Sequence, residues 1–188
     1  METLIDVALE VQEFLEKRRW QFCIIGGLAV QHWGEPRLTR DVDMTLLSGF
    51  GKEVEYVDAL LDQFSARIGN ARDFALENRV LLLRSKSGIG IDISLAGLPF
   101  EEVLVQRAVA IEMLPGKSLT LCSAEDLIIL KAFAARDTDW RDVQSIVARQ
   151  GSASLDWNYI ETNLAPLCEL KKEPQILSRL TIIRYETT

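Results

Sequence analysis

Residues 22–47, FCIIGGLAVQHWGEPRLTRDVDMTLL, constrain this chain more than any other stretch. The apolar run Phe22-Cys23-Ile24-Ile25 predicts a buried strand. Gly26-Gly27 breaks it, and residues 28–33 have room for about two helical turns. After the turn Gly34-Glu35-Pro36, residues 40–47 form a second strand candidate that carries Asp41 and Asp43. Side chains alternate along a strand, so these two acids leave the same face with Cα atoms roughly 7 Å apart. Like charges held side by side repel and call for a compensating cation. Mg²⁺ prefers oxygen ligands, and paired ions about 3.5–4 Å apart recur in phosphoryl-transfer sites. A glycine turn that opens a helix adds free N–H groups and a helix dipole, both favourable to phosphate. The pattern therefore reads as a phosphate cradle next to a metal-binding pair.

That arrangement resembles the nucleotidyltransferase superfamily typified by DNA polymerase β. The superfamily signature is an apolar strand, Gly-Gly or Gly-Ser, roughly ten residues, and then Asp-x-Asp between apolar neighbours. Here thirteen residues (28–40) separate Gly26-Gly27 from Asp41-Val42-Asp43-Met44. The longer wording, Gly26-Gly27-Leu28-Ala29 followed by Gly34-Glu35-Pro36-Arg37-Leu38-Thr39-Arg40-Asp41-Val42-Asp43, is similar to the minimal bacterial branch. That branch includes abortive-infection toxins and small antibiotic nucleotidyltransferases. A lone Gly-Gly or Asp-x-Asp carries little information; the ordered string between two strand-like runs carries far more.

The resemblance implies a magnesium-dependent transferase with two Mg²⁺ ions and an NTP such as ATP as co-substrate. The implied catalytic and metal residues are Asp41, Asp43 and a third acid on a neighbouring strand. Residues 90–95, Gly-Ile-Asp-Ile-Ser-Leu, supply that acid as Asp92, which on a strand faces opposite to Ile91 and Ile93. Asp92 is thus the candidate third ligand and general base, with a turn-capping Asp as the alternative. The implied nucleotide-binding residues are Gly26, Gly27, Arg37, Thr39 and Lys131. A solvated helix lysine is the other reading of Lys131, and surface ion pairs that of Arg136, Asp139 and Asp142.

The rest of the chain is read from periodicity. Residues 2–18 place apolar side chains at helical spacing, as do 52–67, with Gly69-Asn70 as a C-cap. Residues 79–84 and 90–95 are strand candidates around the hairpin 85–88. A short helix over 99–108 precedes strand candidates at 110–114 and 119–121. Ser123 reads as the cap of a helix over 124–136, and further helices follow to 149, over 155–170 and over 173–184. The expected fold class is α+β: a small mixed sheet as a core over 1–122, with helices packed on it, and a C-terminal helical segment over 123–188.

Composition narrows the partners. With 188 residues, 48% hydrophobic and 26% charged, the chain suits an ordinary globular protein. No apolar run approaches bilayer length and the N-terminus lacks a signal-peptide layout, so no membrane partner is expected and the expected location is cytoplasmic. Cys23, Cys122 and Cys168 are far apart without metal spacing and read as reduced thiols. A net charge of −7 disfavours a long nucleic-acid footprint and suits a cationic small molecule or a basic partner. His32, the only histidine, has no neighbouring nucleophile and reads as a packing or turn residue. The dispersed Trp20, Trp33, Trp140 and Trp157 make no stacking platform. The expected function is transfer of a nucleoside monophosphate from an NTP to an acceptor: small molecule, tRNA or protein. The rivals are a catalytically silent nucleotide- or partner-binding module and a toxin-type enzyme restrained by an antitoxin-like partner protein.

Overall fold

The computed structural model describes residues 3–186 and divides into two compact units. One comprises the chain to Leu28 together with Leu38–Cys122; the other comprises Ala29–Arg37 and the chain from Ser123 onward. The α+β class expected from the sequence is the class observed.

The first unit is built on a seven-stranded mixed sheet: β1 (Phe22–Ile24), β2 (Asp41–Leu47), β3 (Ser65–Ala66), β4 (Val80–Arg84), β5 (Gly90–Ala96), β6 (Val109–Leu114) and β7 (Lys117–Leu121). Their spatial order is β3-β4-β5-β2-β1-β7-β6. β2 runs parallel to β5 and antiparallel to β1, and β1 runs parallel to β7. Period-two alternation decides what each face of the central pair carries. Val42, Met44 and Leu46 of β2 and Ile91, Ile93 and Leu95 of β5 enter one hydrophobic core. Asp41, Asp43 and Asp92 therefore leave the opposite face. Fully burying one such aliphatic side chain contributes about 1.5–3 kcal/mol, so slipping either strand by one residue is prohibitively costly.

Helix α1 (Leu4–Lys17) covers that core with Val7, Val11 and Leu15. Its start is fixed by a capping box in which Asp6 N–H donates to Thr3 Oγ1 (3.2 Å) and Thr3 N–H donates to Asp6 Oδ2 (2.9 Å). The sequence expectation began this helix at Glu2, which lies outside the described residues.

The helix expected over 52–67 is corrected. α3 (Glu53–Gln63) stops at Phe64, whose backbone is extended, and Ser65-Ala66 join the sheet as its edge. There they pair with Leu83 and Arg84 of β4, whose backbone groups would otherwise face no partner. Gly69-Asn70 closes no helix; Asn70 instead precedes α4 (Ala71–Asn78), a helix the periodicity did not announce. α5 (Pro99–Gln106) completes the unit, with proline in its first turn.

The second unit is helical: α6 (Ala124–Ala134), α7 (Asp137–Gln150), α8 (Trp157–Lys171) and α9 (Gln175–Glu186), with a short 3-10 turn at Ser152–Ser154. α6 packs against α7, α8 and α9. Ser123 caps α6 as expected: its hydroxyl accepts from Asp126 N–H at 3.1 Å and donates to Asp126 Oδ2 at 2.6 Å. The boundary between the units falls within α2 (Gly26–Trp33). The expected C-terminal helical segment thus also includes residues 29–37 in this division.

Candidate active site

β2 and β5 are in register, with Asp43 directly opposite Asp92 and Asp41 opposite Gly90. Two acids two residues apart on one strand and a third across from them make a three-carboxylate face. The three are half-buried; Asp43 and Asp92 are each flanked along the strand by core residues on both sides, and Asp41, at the start of β2, by Val42 alone.

The glycine turn meets this face at Asp43. Gly26 takes φ +62°, and a Cβ there would lie 2.0 Å from Asp43 Oδ2, so only glycine fits. Gly27 N–H donates to Asp43 Oδ2 at 3.5 Å, and the backbone is tied by Ile25 N–H donating to Asp43 O at 2.9 Å. A Cβ on Gly27 would come within 2.2 Å of Thr39 Oγ1. Gly26, Gly27, Thr39 and Asp43 therefore form one close-packed cluster at the start of α2.

Asp41 and Asp92 face a cation that the sequence reading missed. Arg67, just beyond β3, places Nη2 2.7 Å from Asp92 Oδ1 and Nη1 3.9 Å from Asp41 Oδ1. Its backbone N–H donates to Leu82 O (3.0 Å), and Leu82 is the register partner of Asp92 on β4. Asp92 Oδ1 is buried yet accepts no aligned hydrogen bond, so its attraction to the guanidinium is coulombic. No local pattern marks Arg67, because the pairing depends on which strand takes the sheet edge.

The residues fit divalent ions in kind: oxygen-only donors on adjacent strands, one of them a buried oxygen without a hydrogen bond. The side chains are turned toward Arg67 and toward the glycine turn. Among the described residues no three His, Cys, Asp or Glu side chains stand together as a ready-made metal group.

Arg37 and Lys131, expected at the nucleotide, lie together in the second unit. Arg37 forms a two-pronged pair with Asp142, Nε to Oδ1 at 2.7 Å and Nη2 to Oδ2 at 2.8 Å. Lys131 Nζ lies 3.0 Å from Asp139 Oδ1 and 2.9 Å from Asp142 Oδ2, and Arg136 Nε donates to Asp139 Oδ2 at 2.5 Å. The side chains of Lys131, Asp139 and Asp142 are only 10%, 1% and 4% exposed, which corrects the solvated lysine and the surface placing of the two acids, while Arg136, exposed, makes the expected i,i+3 pair with Asp139. Burial alone pushes both carboxyls up, but hydrogen bonds from Arg136 and Lys131 (on Asp139) and from Arg37 and Lys131 (on Asp142) hold them below the usual carboxylate range. The signal was present: Asp139 and Asp142 fall on the buried stripe of α7 with Val143 and Ile146. An open cleft of about 350 Å³ adjoins this network, lined by Glu35, Arg37, Thr138, Arg141, Asp142 and Ser145. His32 stacks edge-on to Trp33 (centroids 4.3 Å apart), and its pKa is lowered by burial and then by Arg149, in keeping with a packing residue.

A mixed sheet with paired strand acids beside a glycine turn defines a nucleotidyltransferase-like domain. Over residues 2–187 the chain matches, and belongs to, the family described as "Nucleotidyltransferase of unknown function (DUF6036)". Its fold is similar to an antigenic nucleotidyltransferase-like protein from Paracoccidioides brasiliensis (20% identity, 95% of this chain and 92% of that one, TM-score 0.56). It is also similar to ANT(2")-Ia in complex with adenylyl-2"-tobramycin (14% identity, all of both chains, TM-score 0.50). No curated protein matches this chain in sequence. Among the described residues no helix is long and apolar enough to cross a membrane.

Proposed function

We propose that this chain transfers a nucleoside monophosphate from an NTP to an acceptor hydroxyl or similar oxygen, with release of pyrophosphate. The observation that carries the reading is the register pair Asp43–Asp92, with Asp41 on the same face and a glycine turn packed against Asp43. Asp41, Asp43 and Asp92 are assigned as the ligands of two divalent ions. When bound, Mg²⁺ supplies charge neutralisation at the phosphoryl oxygens and lowers the pKa of the attacking group. Gly26 and Gly27 are assigned to seat the triphosphate through the backbone N–H groups at the start of α2, and Thr39 packs against that turn. Asp92, at the edge nearest β4, is the base assigned to take the acceptor proton. Arg37 and Lys131 already balance buried carboxylates, so we assign them to holding the α6–α7 corner beside the cleft rather than to the phosphates.

A net charge of −7 favours a cationic small molecule or a basic protein over a long RNA as acceptor. A cytoplasmic location belongs to the same reading, and an antitoxin-like partner belongs to its toxin-type alternative. The second reading, a module that binds nucleotide without turnover, is favoured by one feature: Arg67 already neutralises Asp41 and Asp92.

The two readings part in a label-transfer screen. The protein is incubated with each α-labelled NTP, Mg²⁺ and cell extract, and both acceptor labelling and pyrophosphate are followed. Labelled small molecule, tRNA or protein with stoichiometric pyrophosphate supports transfer and identifies the acceptor class. Saturable nucleotide binding without pyrophosphate in every extract supports the silent module.

A further inference from the structure

We infer that Arg67 is an internal counter-cation that a divalent ion must displace, so that the site is held closed to metal until the guanidinium swings away. The inference rests on the metal reading of Asp41, Asp43 and Asp92. Three observations carry it. Arg67 reaches two of the three assigned ligands at once, 2.7 Å from Asp92 and 3.9 Å from Asp41. The space it fills is kept open by a missing side chain: a Cβ on Gly90 would lie 2.1 Å from Asp41 Oδ1 and 2.8 Å from Arg67 Nη1. Finally, the contact to Asp92 Oδ1 lacks hydrogen-bond alignment, leaving that buried oxygen's directional capacity unused.

A guanidinium and a hard divalent ion cannot both sit against the same two carboxylates. They are like charges, and the dication brings its own ligand shell. The arginine also explains how three acids share one sheet face in the metal-free protein, since it offsets their repulsion. It is well suited to leave. Its side chain is 33% exposed, so the pair is weak enough to exchange, while its backbone stays pinned to Leu82 and returns it to the same place. Arg67 is in this account a positioning residue that sets the metal concentration at which the site assembles.

The test is Mn²⁺ binding to the full chain without nucleotide, read from the loss of the free-ion electron paramagnetic resonance signal, for wild type, Arg67→Gln and Arg67→Lys. Arg67→Gln is expected to bind Mn²⁺ about five-fold more tightly, the scale set by a partly exposed ion pair. Arg67→Lys, which keeps the charge, is expected to stay within about two-fold of wild type. As a second readout, metal-free Arg67→Gln should melt below wild type and gain more from saturating Mn²⁺. Equal or weaker Mn²⁺ binding by Arg67→Gln, with wild type binding saturably, overturns the role of Arg67 and leaves the metal reading standing. Absence of saturable Mn²⁺ binding in all three chains overturns the metal reading and this inference with it.

Discussion

Asp43 and Asp92 face each other across the parallel strands β2 and β5, and Asp43 also fills the space that a side chain on Gly26 would need. One carboxylate thus links the sheet acids to the glycine turn. Replacing Gly26 with alanine should break that link. The left-handed backbone alone costs about 1–2 kcal/mol for a residue with a Cβ. The new Cβ must also push Asp43 off its position. Thermal melts of Gly26→Ala should show the loss, and label transfer should fall further than the loss of folded protein explains.

Lys131→Met should destabilise the helical unit. It removes one cation from between two buried carboxylates, and breaking a buried pair in this way costs about 3–5 kcal/mol. The lower end is expected, since Arg136 and Arg37 still contact Asp139 and Asp142. Urea denaturation of the variant measures it. A change under about 0.5 kcal/mol, the scale of an ordinary surface substitution, would contradict the burial argument.

The same network sets an acid limit on stability. Asp139 and Asp142 have folded pKa values below the 3.8 of an unperturbed carboxyl. A depressed folded pKa contributes stability that is fully present above the unfolded value and is lost as pH falls through the folded one. Melting temperature should therefore hold above about pH 5 and drop steeply below 3.8, the value both carboxyls start from. An Asp139→Asn, Asp142→Asn double variant should start lower at neutral pH and lose less on acidification. Parallel curves for the two proteins would contradict this assignment.

The acid face was legible in the sequence because alternation is local. Val42-Asp43-Met44 and Ile91-Asp92-Ile93 leave one choice of side once the aliphatics are buried. The cap at Ser123 was legible for the same reason. The sheet edge was not. Ser65 and Ala66 have no strong strand preference, and they extend because β4 offers them partners. Helix α4 escaped because it buries only Ala71 and Ala75, too small to print a stripe. Arg67 escaped with them, since its carboxylates are reached only after that edge has formed. The acids of α7 were misplaced at the surface because charge was weighed above position, although they lie on the stripe that carries Trp140 and Val143.

Asp43→Asn, measured beside wild type for transfer of α-labelled nucleotide in the presence of Mg²⁺ and extract, tests the central claim most directly. Removing one charge from three repelling acids should leave the metal-free protein folded with an undiminished melting temperature. Label incorporation should fall at least about 100-fold, the effect of losing a group that acts on the transition state. A folded Asp43→Asn protein that labels the acceptor as fast as wild type would contradict the account.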